Sequence, residues 1–169
     1  MAIEQVREHL KRWGRDRDIK EFPTSSATVE LAAQALGVEP ARIAKTLAFK
    51  EREGGALLIV AAGDVKMDNS KFKTQFGYKA KMLTAEEALS RTGHAVGGVC
   101  PFGLKAALPV FLDISLRRFS TVFPACGSGN SAIELTCAEL AEYSLCRGWV
   151  DVCSGWDKGS EQNFNILLS

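Results

Sequence analysis

Apolar residues recur at helical spacing at the start of the chain and again before residue 37. In the first run they lie three or four positions apart, at Ile3, Val6, Leu10 and Trp13. This spacing predicts an amphipathic helix over residues 2–13 that ends at Gly14. Three side chains can cap the helix of the second run, namely Ser25, Ser26 and Thr28. That helix is expected to stop at Gly37.

Two longer apolar runs predict neighbouring β-strands. RIAKTLAFKE and GALLIVAAG are joined by the polar sequence EREGG, which is typical of a β-hairpin. Shorter strands are predicted for four further stretches: DIKEF, LPVFLDISL, STVFPA and SAIELT. Three more helices are predicted where a capping residue precedes a helical pattern, after Asp68, Thr84 and Thr136. This mixed order predicts an α+β fold, with one mixed sheet surrounded by helices rather than a regular βαβ repeat.

Residues after about 146 follow a different pattern. Trp149, Val150 and Val152 precede a polar stretch, which is followed by an apolar end. The pattern is compatible with an edge strand or with a loose tail. We therefore divide the chain into one domain over residues 1–146 and a C-terminal extension over residues 147–169.

Composition excludes several classes of protein. The chain has 169 residues, of which 46% are hydrophobic and 24% charged, as expected for one globular domain. No apolar run is long enough to span a bilayer, and the charged N-terminus lacks the apolar region of a secretory signal. We therefore expect a cytoplasmic protein with no membrane partner. The net charge of +1 favours no class of partner.

The cysteines match neither a zinc site nor a disulfide framework. Five are present, at Cys100, Cys126, Cys137, Cys146 and Cys153. Their number is odd and no two of them form a CxxC pair, so we expect reduced thiols. We expect no metal and no organic cofactor.

Positive charge is concentrated in one segment, although the net charge is small. Residues 66–81 contain five lysines against one acidic residue, at Lys66, Lys71, Lys73, Lys79 and Lys81. Aromatic residues lie between these lysines, at Phe72, Phe76 and Tyr78. Such a segment can contact a phosphate backbone, or it can be a solvated helix face whose aromatic side chains point inward.

Lys45 is the first candidate for chemistry, because it lies among apolar residues on a predicted strand. Strand alternation places it on the same face as Ile43 and Leu47. Its ammonium group is either exposed at an edge or directed into a cleft. A buried ammonium group is costly without a partner, so an inward Lys45 predicts an anionic or carbonyl-bearing ligand.

The sequence AVGGVCPFGL, residues 95–104, is the second candidate. Gly97 and Gly98 can bring backbone N–H groups close to a ligand, and Pro101 restricts the loop around them. Three interpretations are open: a structural turn, a backbone cradle for a carbonyl or oxyanion, and a thiol site. The thiol site would require Cys100 to be activated by His94, one of only two histidines in the chain.

Two further features are weaker. The sequence CGSGNS contains Gly127 and Ser128 in a glycine-rich turn, but it lacks the spacing of established phosphate-binding motifs. Asp113 lies at the end of a predicted strand, where a carboxylate can orient a ligand amine or cap the following turn.

Taken together and in this order, these stretches resemble the YbaK/EbsC family, the editing domains associated with prolyl-tRNA synthetase. The resemblance covers about residues 15–143. It is carried by ARIAKTLAFK with Lys45, AAGDVKMDNSKF with Asp64, the Gly97-x-x-x-Pro101 spacing, LPVFLDISL with Asp113, and VFPACGSGNSAIELT. The tail after about residue 146 has no counterpart in the family pattern.

The resemblance implies a barrel-like curved sheet and a trans-editing activity, the hydrolysis of the ester between a wrong amino acid and tRNA. The implied substrate is mischarged tRNA, often tRNA-Pro, and prolyl-tRNA synthetase or an elongation factor is a possible partner. The implied catalytic residues are Lys45, Gly97 and Gly98. The expected substrate-binding residues are Ser26, Thr28, Thr46, Val99, Cys100, Pro101, Phe102, Asp113, Gly127 and Ser128. Contacts to tRNA are expected from Lys66, Lys71 and Lys73.

Two other functions stay open. A non-catalytic module would bind tRNA or a synthetase without turnover, and a thiol enzyme would depend on Cys100. The sequence does not specify which amino acid is removed, because a pocket that differs by one methylene discriminates by only ~1–3 kcal/mol.

Overall fold

The computed structural model describes residues 2–156. Five α-helices lie in this range, with the bounds α1 Ala2–Leu10, α2 Val29–Leu36, α3 Asn69–Phe76, α4 Ala85–Thr92 and α5 Cys137–Tyr143. The strands are β1 Lys20–Glu21, β2 Ile43–Lys50, β3 Ala56–Ala62, β4 Lys66–Met67, β5 Val110–Asp113, β6 Thr121–Pro124, β7 Ser131–Ala132, β8 Leu135–Thr136, β9 Gly148–Val150 and β10 Cys153–Ser154. No helix in the described range is long and apolar enough to cross a membrane.

The helix boundaries follow the capping residues that the sequence contains. Thr28, rather than Ser25 or Ser26, caps α2 by accepting a hydrogen bond from the N–H of Leu31. Asp68 caps α3 in the same way, and complete capping boxes begin α4 and α5. The predicted starts of these helices are therefore confirmed.

One six-stranded mixed sheet, curled into a half-barrel, forms the centre of the domain. Its strand order is β8-β6-β2-β3-β5-β9. The predicted hairpin is its middle, since β2 and β3 pair antiparallel from Ala44↔Ala62 to Lys50↔Ala56. β6 lies parallel to β2 on one side, and β5 lies parallel to β3 on the other. The predicted mixed α+β fold is confirmed.

The core lies on the central strands because β3 is apolar throughout. All seven of its residues are buried. This continuous apolar sequence is typical of a strand covered on both faces. Helix α1 packs on the core through Ile3, Val6 and Leu10. It ends at Leu10, earlier than the predicted residue 13, and residues 11–13 continue as a 3-10 helix before Gly14.

The predicted strand SAIELT is divided into two. Ser131 and Ala132 form β7, which pairs with β1 outside the main sheet. Leu135 and Thr136 form β8, which pairs with β6 at the edge of the main sheet. The chain changes partners between these short strands, and periodicity alone does not reveal such a change.

The segment after residue 146 contributes to the sheet over part of its length. β9 pairs parallel with β5 as an edge strand, and β10 pairs antiparallel with β4. Of the two possibilities left open by the sequence, the structure describes an edge strand over residues 148–150. The rest of the predicted extension, residues 157–169, lies outside the described residues.

Candidate functional site

A cavity of about 260 Å³ lies between β2, the start of α2, α4 and the glycine loop of residues 95–99. Its volume lies just below the ~300–1,000 Å³ typical of pockets for drug-sized ligands. Six of the predicted site residues line it: Lys45, Gly97, Ser26, Thr28, Thr46 and Val99. These come from three separate stretches of sequence, and the fold brings them together around a space suited to a small group.

Lys45 is the cation of the cavity wall. β2 lies between β3 and β6, so Lys45 is on a central strand and not at a sheet edge. Its Nζ donates to the backbone carbonyl of Val65 and, at 3.5 Å, to that of Gly63. Burial lowers the pKa of Lys45, while nearby Cys153 and Asp64 raise it. The partners expected for an inward lysine therefore include two carbonyls of the protein itself.

Two hydroxyl groups in the cavity wall have no hydrogen-bond partner among the described residues. They are Ser26 Oγ and Thr46 Oγ1, and both are buried. An unsatisfied buried hydroxyl costs stability. A ligand in the cavity can supply the missing partners, so these two side chains are candidates for substrate recognition.

The glycine loop is defined by close backbone contacts. Gly97 has a φ of +92°, and a Cβ on it would lie 2.7 Å from the Cβ of Ala27. A Cβ on Gly98 would lie 2.7 Å from the N of Ser128 and 2.8 Å from the C of Gly127. Both positions therefore require glycine, and the second one joins the two glycine-rich segments of the sequence.

The backbone donors of this loop differ in availability. The N–H of Gly98 donates to the carbonyl of Ala95 at 2.9 Å, and Gly98 does not line the cavity. The N–H of Gly98 was expected to face a ligand. In the structure it is already used by a hydrogen bond within the loop. Within the described residues, the N–H groups of Gly97 and Val99 donate to no protein acceptor, and both residues line the cavity.

Cys100 and His94 do approach each other, but behind the cavity wall. Cys100 Sγ lies 3.6 Å from His94 Nε2, and both residues are fully buried. Burial raises the pKa of the Cys100 thiol to about 12, and burial lowers the pKa of His94. The thiol is therefore protonated at neutral pH and does not reach the cavity, which argues against a nucleophilic role.

Several predicted substrate-binding residues lie outside the cavity lining. Each belongs to the described part of the chain and none lines the cavity: Cys100, Pro101, Phe102, Asp113, Gly127 and Ser128. Ser128 bonds to Asn130 and Ser131 through its hydroxyl. Gly127 packs against the backbone of Ala2.

Asp113 has a structural position in the core. It is fully buried, and its Oδ2 accepts from the N–H of Ser115 at 3.0 Å. Its Oδ1 accepts from the N–H of Val152 at 2.9 Å. Of the two roles that the sequence suggested, the carboxylate therefore caps the following turn, and it also anchors the chain between β9 and β10.

The lysine segment, residues 66–81, combines both of the roles that the sequence left open. Phe72 is fully buried and contacts Phe76, so these aromatic side chains point inward. Lys71 is held by Asp151 and by the carbonyl of Cys153. Lys66 and Lys73 are exposed and are available to a phosphate backbone.

Sequence reasoning missed the residues that complete the cavity wall. These are mostly apolar: Met82, Leu83, Ala88, Val96, Phe123 and Ala125. Met82 and Val96 are 55% and 67% exposed, although both are large apolar side chains. No local pattern separates such residues from ordinary core positions, because only the fold brings β6 and α4 to the same space. No cluster of three or more metal-ligating side chains occurs within residues 2–156.

Comparison with known proteins identifies a family and several relatives of similar sequence. A family model described as an aminoacyl-tRNA editing domain matches residues 24–143. The protein YwhH of Bacillus subtilis (strain 168) is 55% identical over 157 residues, which cover 93% of this chain and 100% of that protein. EbsC of Enterococcus faecalis, named as a candidate Cys-tRNA(Pro)/Cys-tRNA(Cys) deacylase, is 31% identical over 72% of this chain and 73% of its own length.

A solved structure gives the same result at the level of the fold. It is described as a candidate trans-editing enzyme for prolyl-tRNA synthetase, and it superposes with a TM-score of 0.82. The match has 31% sequence identity and covers 91% of this chain and 98% of that chain. The predicted resemblance is therefore confirmed by sequence and by fold.

Proposed function

Because the chain belongs to the family of aminoacyl-tRNA editing domains, we propose that it hydrolyses the ester of a mischarged aminoacyl-tRNA. The proposed substrate is a small amino acid on tRNA, with tRNA-Pro as the first candidate. One relative is described as a candidate deacylase, and one solved structure as a candidate trans-editing enzyme. Such a protein acts where aminoacyl-tRNA is made and used, so the proposal includes a cytoplasmic location.

The observation that carries the proposal is the cavity lined by Lys45, Gly97 and Val99, in which the N–H groups of the two loop residues have no acceptor within residues 2–156. Its volume of about 260 Å³ suits an aminoacyl group and leaves the nucleotide outside. Its wall combines one cation, several hydroxyl groups and a large apolar surface. This combination suits an ester of a small amino acid better than an anion of high charge.

In the proposed reaction the N–H groups of Gly97 and Val99 hold the ester carbonyl oxygen. Their hydrogen bonds strengthen as that oxygen becomes negative in the transition state, which lowers the barrier. A water oxygen bonds to the carbonyl carbon, and the bond from this carbon to the tRNA ribose oxygen breaks. The water releases a proton and the ribose oxygen takes one up. The products are the free amino acid and uncharged tRNA.

The cavity wall contains no cysteine, histidine, aspartate or glutamate within the described residues. The proposed mechanism uses water as the nucleophile and no covalent intermediate on the enzyme, in contrast to the thiol enzyme. Lys45 has three N–H donors, of which two point to the carbonyls of Val65 and Gly63. The third is available to the substrate. Lys66 and Lys73 supply the proposed contacts to tRNA phosphates, and this binding would weaken with salt.

The direct test is a deacylation assay with alanine, cysteine, serine and threonine each attached to tRNA-Pro, and with correctly charged prolyl-tRNA as the control substrate. We expect at least one mischarged tRNA to be hydrolysed and prolyl-tRNA to be spared. Lys45→Ala is expected to lower kcat/KM by about 100-fold, the effect of removing one transition-state donor.

Lys50→Ala is the matched control, because Lys50 is on the same strand, outside the cavity, and paired with Glu87. It is expected to keep wild-type activity. Tight tRNA binding without turnover of any substrate would instead identify a binding module. Full activity of Lys45→Ala would remove the lysine from the mechanism.

A further inference from the structure

The ammonium group of Lys45 is held by the loop that joins β3 to β4. The two carbonyls that accept its hydrogen bonds belong to Gly63 and Val65. Both flank Asp64 directly in the sequence. The conformation of residues 63–65 therefore decides where the amine of Lys45 lies relative to the cavity.

Asp64 is clamped by Arg118 through two parallel hydrogen bonds. Arg118 Nη1 donates to Asp64 Oδ2 at 2.9 Å, and Nη2 donates to Oδ1 at 2.6 Å. The Arg118 side chain is only 6% exposed, and that of Asp64 is 33% exposed. A two-fold contact of this kind fixes the angle as well as the distance between the two groups, and the burial of the guanidinium reduces the screening of the pair.

The guanidinium group is itself held on its remaining sides. Arg118 Nε donates to the carbonyl of Ser115 at 2.8 Å. The rings of Phe119 and Trp156 lie 4.9 and 5.2 Å from its central carbon. Trp156 follows β10, so the C-terminal part of the described chain covers this clamp.

The segment that carries Arg118 is anchored to the central sheet. Ser115 Oγ accepts from the N–H of Ala62, the last residue of β3, at 3.2 Å. The N–H of Ser115 donates to the buried carboxylate of Asp113. A continuous series of hydrogen bonds therefore runs from the core, through Arg118 and Asp64, to the loop that holds Lys45.

We propose that Arg118 and Asp64 are positioning residues for Lys45, and that their ion pair fixes residues 63–65 so that the lysine amine is held in one position at the cavity wall. This inference rests on the proposed role of Lys45 in deacylation. Neither residue lines the cavity, so both act through the loop and not on the substrate.

Two carboxylates near Lys45 allow an effect on the position of its amine to be distinguished from an effect on its charge. Burial lowers the pKa of Lys45, and three groups raise it: Cys153 on β10, Asp64 on the loop and Glu30 on α2. The pKa of the Cys153 thiol is itself raised to about 12, mainly by burial, so at neutral pH this group is uncharged. Asp64 and Glu30 are then the two carboxylates that favour the charged lysine, and only Asp64 is bonded to Arg118.

The experiment compares Asp64→Asn and Arg118→Lys with Glu30→Gln as the matched control. Glu30→Gln removes a carboxylate near Lys45 but leaves the clamp intact. Arg118→Lys keeps the charge but loses the two-fold contact. Two measurements are made on each protein: deacylation of the substrate found active above, and the pH dependence of Lys45 acetylation by acetic anhydride, followed by mass spectrometry. Acetylation requires no tRNA and no activity.

We expect Asp64→Asn and Arg118→Lys each to lower kcat by about tenfold with KM within about twofold of wild type, because the amine is misplaced after binding. We expect acetylation of Lys45 to be faster in Arg118→Lys at every pH, because its amine is no longer held. In Asp64→Asn the acetylation profile should also move to lower pH, because a carboxylate that favours the charged lysine has gone. Glu30→Gln should move the profile in the same direction and keep the wild-type kcat.

The proposal is overturned if Asp64→Asn and Arg118→Lys keep wild-type kcat and wild-type acetylation rates. It is also overturned if Glu30→Gln lowers kcat as much as Asp64→Asn, since charge alone would then account for the effect. Should Lys45→Ala prove fully active, the proposed role of the lysine fails. Acetylation would still decide whether the clamp holds the amine, so the two failures are distinguishable.

Discussion

The two sides of the cavity are built in different ways. On the β2 side, the polar groups are side chains: the Lys45 ammonium and the Thr46 hydroxyl, which has no hydrogen-bond partner among the described residues. On the loop side, the polar groups are backbone N–H donors of Gly97 and Val99, held by contacts between main-chain atoms. The first side can be altered one group at a time. The second side changes only when a whole loop moves.

The largest effect is expected from breaking the loop side with Gly98→Ala. The new Cβ would lie 2.7 Å from the N of Ser128. Because the contact is with backbone atoms, rotation of a side chain cannot relieve it. We expect deacylation to fall by about 100-fold, because the backbone donors are displaced. We also expect the free energy of unfolding to fall by about 1–3 kcal/mol. Activity assays and urea unfolding measure the two effects.

Gly129→Ala is the control for this substitution. Gly129 lies in the glycine-rich segment that Gly98 contacts, but its Cβ would approach Ala27 to only 3.6 Å, an ordinary contact. It should keep near wild-type activity and stability. Wild-type behaviour of Gly98→Ala would show that the loop yields more readily than its backbone contacts indicate.

A smaller effect, of opposite sign for stability and activity, is expected on the β2 side with Thr46→Val. The substitution keeps the shape of the side chain and removes a hydroxyl that has no partner among the described residues. We expect the free energy of unfolding to rise by about 1 kcal/mol. Catalytic efficiency should fall by about tenfold, equivalent to one lost substrate hydrogen bond.

Thr46→Ser, which keeps the hydroxyl, should retain most of the activity. The same assay and the same urea titration apply to both variants. A Thr46→Val protein that is both less stable and fully active would mean that the hydroxyl serves the fold and not the substrate.

Cys100→Ala tests whether the loop side has any side-chain chemistry. Cys100 is buried behind the loop, and burial raises the pKa of its thiol to about 12. We expect deacylation to stay within about twofold of wild type, since no thiolate is involved. Iodoacetamide at neutral pH should likewise leave the native enzyme active. Loss of activity without loss of folded protein would revive the thiol enzyme.

The smallest effect is expected on stability in mild acid. It involves His94 and His9, which bond to the backbone of Phe102 and Gly103 just after the glycine loop. Burial lowers the pKa of both His94 and His9 below the ordinary value of 6.5. The unfolded chain therefore takes up protons at a higher pH than the folded one. The stability from these groups is fully present above pH 6.5 and is lost as the pH falls through their folded pKa values.

Urea unfolding at a series of pH values below 7 measures this loss. The two histidine ring signals in NMR titration should both show midpoints below the usual range. A free energy of unfolding that increases on acidification over this interval would contradict the sign of both shifts.

The elements of the fold were predictable where the signal is local. Capping residues such as Asp68 and Thr84 act within one turn, so the starts of α3 and α4 follow from the sequence. The partners of the short strands were not predictable. SAIELT reads as one strand because its alternation is unbroken, but its two ends pair with different neighbours.

The site was predictable in part for the same reason. Lys45 and Gly97 carry signals that stand out locally, a charge in an apolar strand and a pair of glycines. Asp113 carries the signal of a ligand-binding carboxylate, yet it is used by the N–H groups of Ser115 and Val152. The clamp of Arg118 on Asp64 spans distant parts of the chain, and no sequence pattern links two such residues.

The contact between Gly98 and the backbone of Gly127 and Ser128 limits how the sequences of such domains can diverge. Atoms that every amino acid possesses make this contact, so no compensating substitution in either loop can create room for a side chain. Substrate range can change through Ser26, Thr46 and Val96, which face the cavity with replaceable groups. A combinatorial library that varies these three positions and keeps Gly98 should yield folded enzymes with new amino-acid preferences.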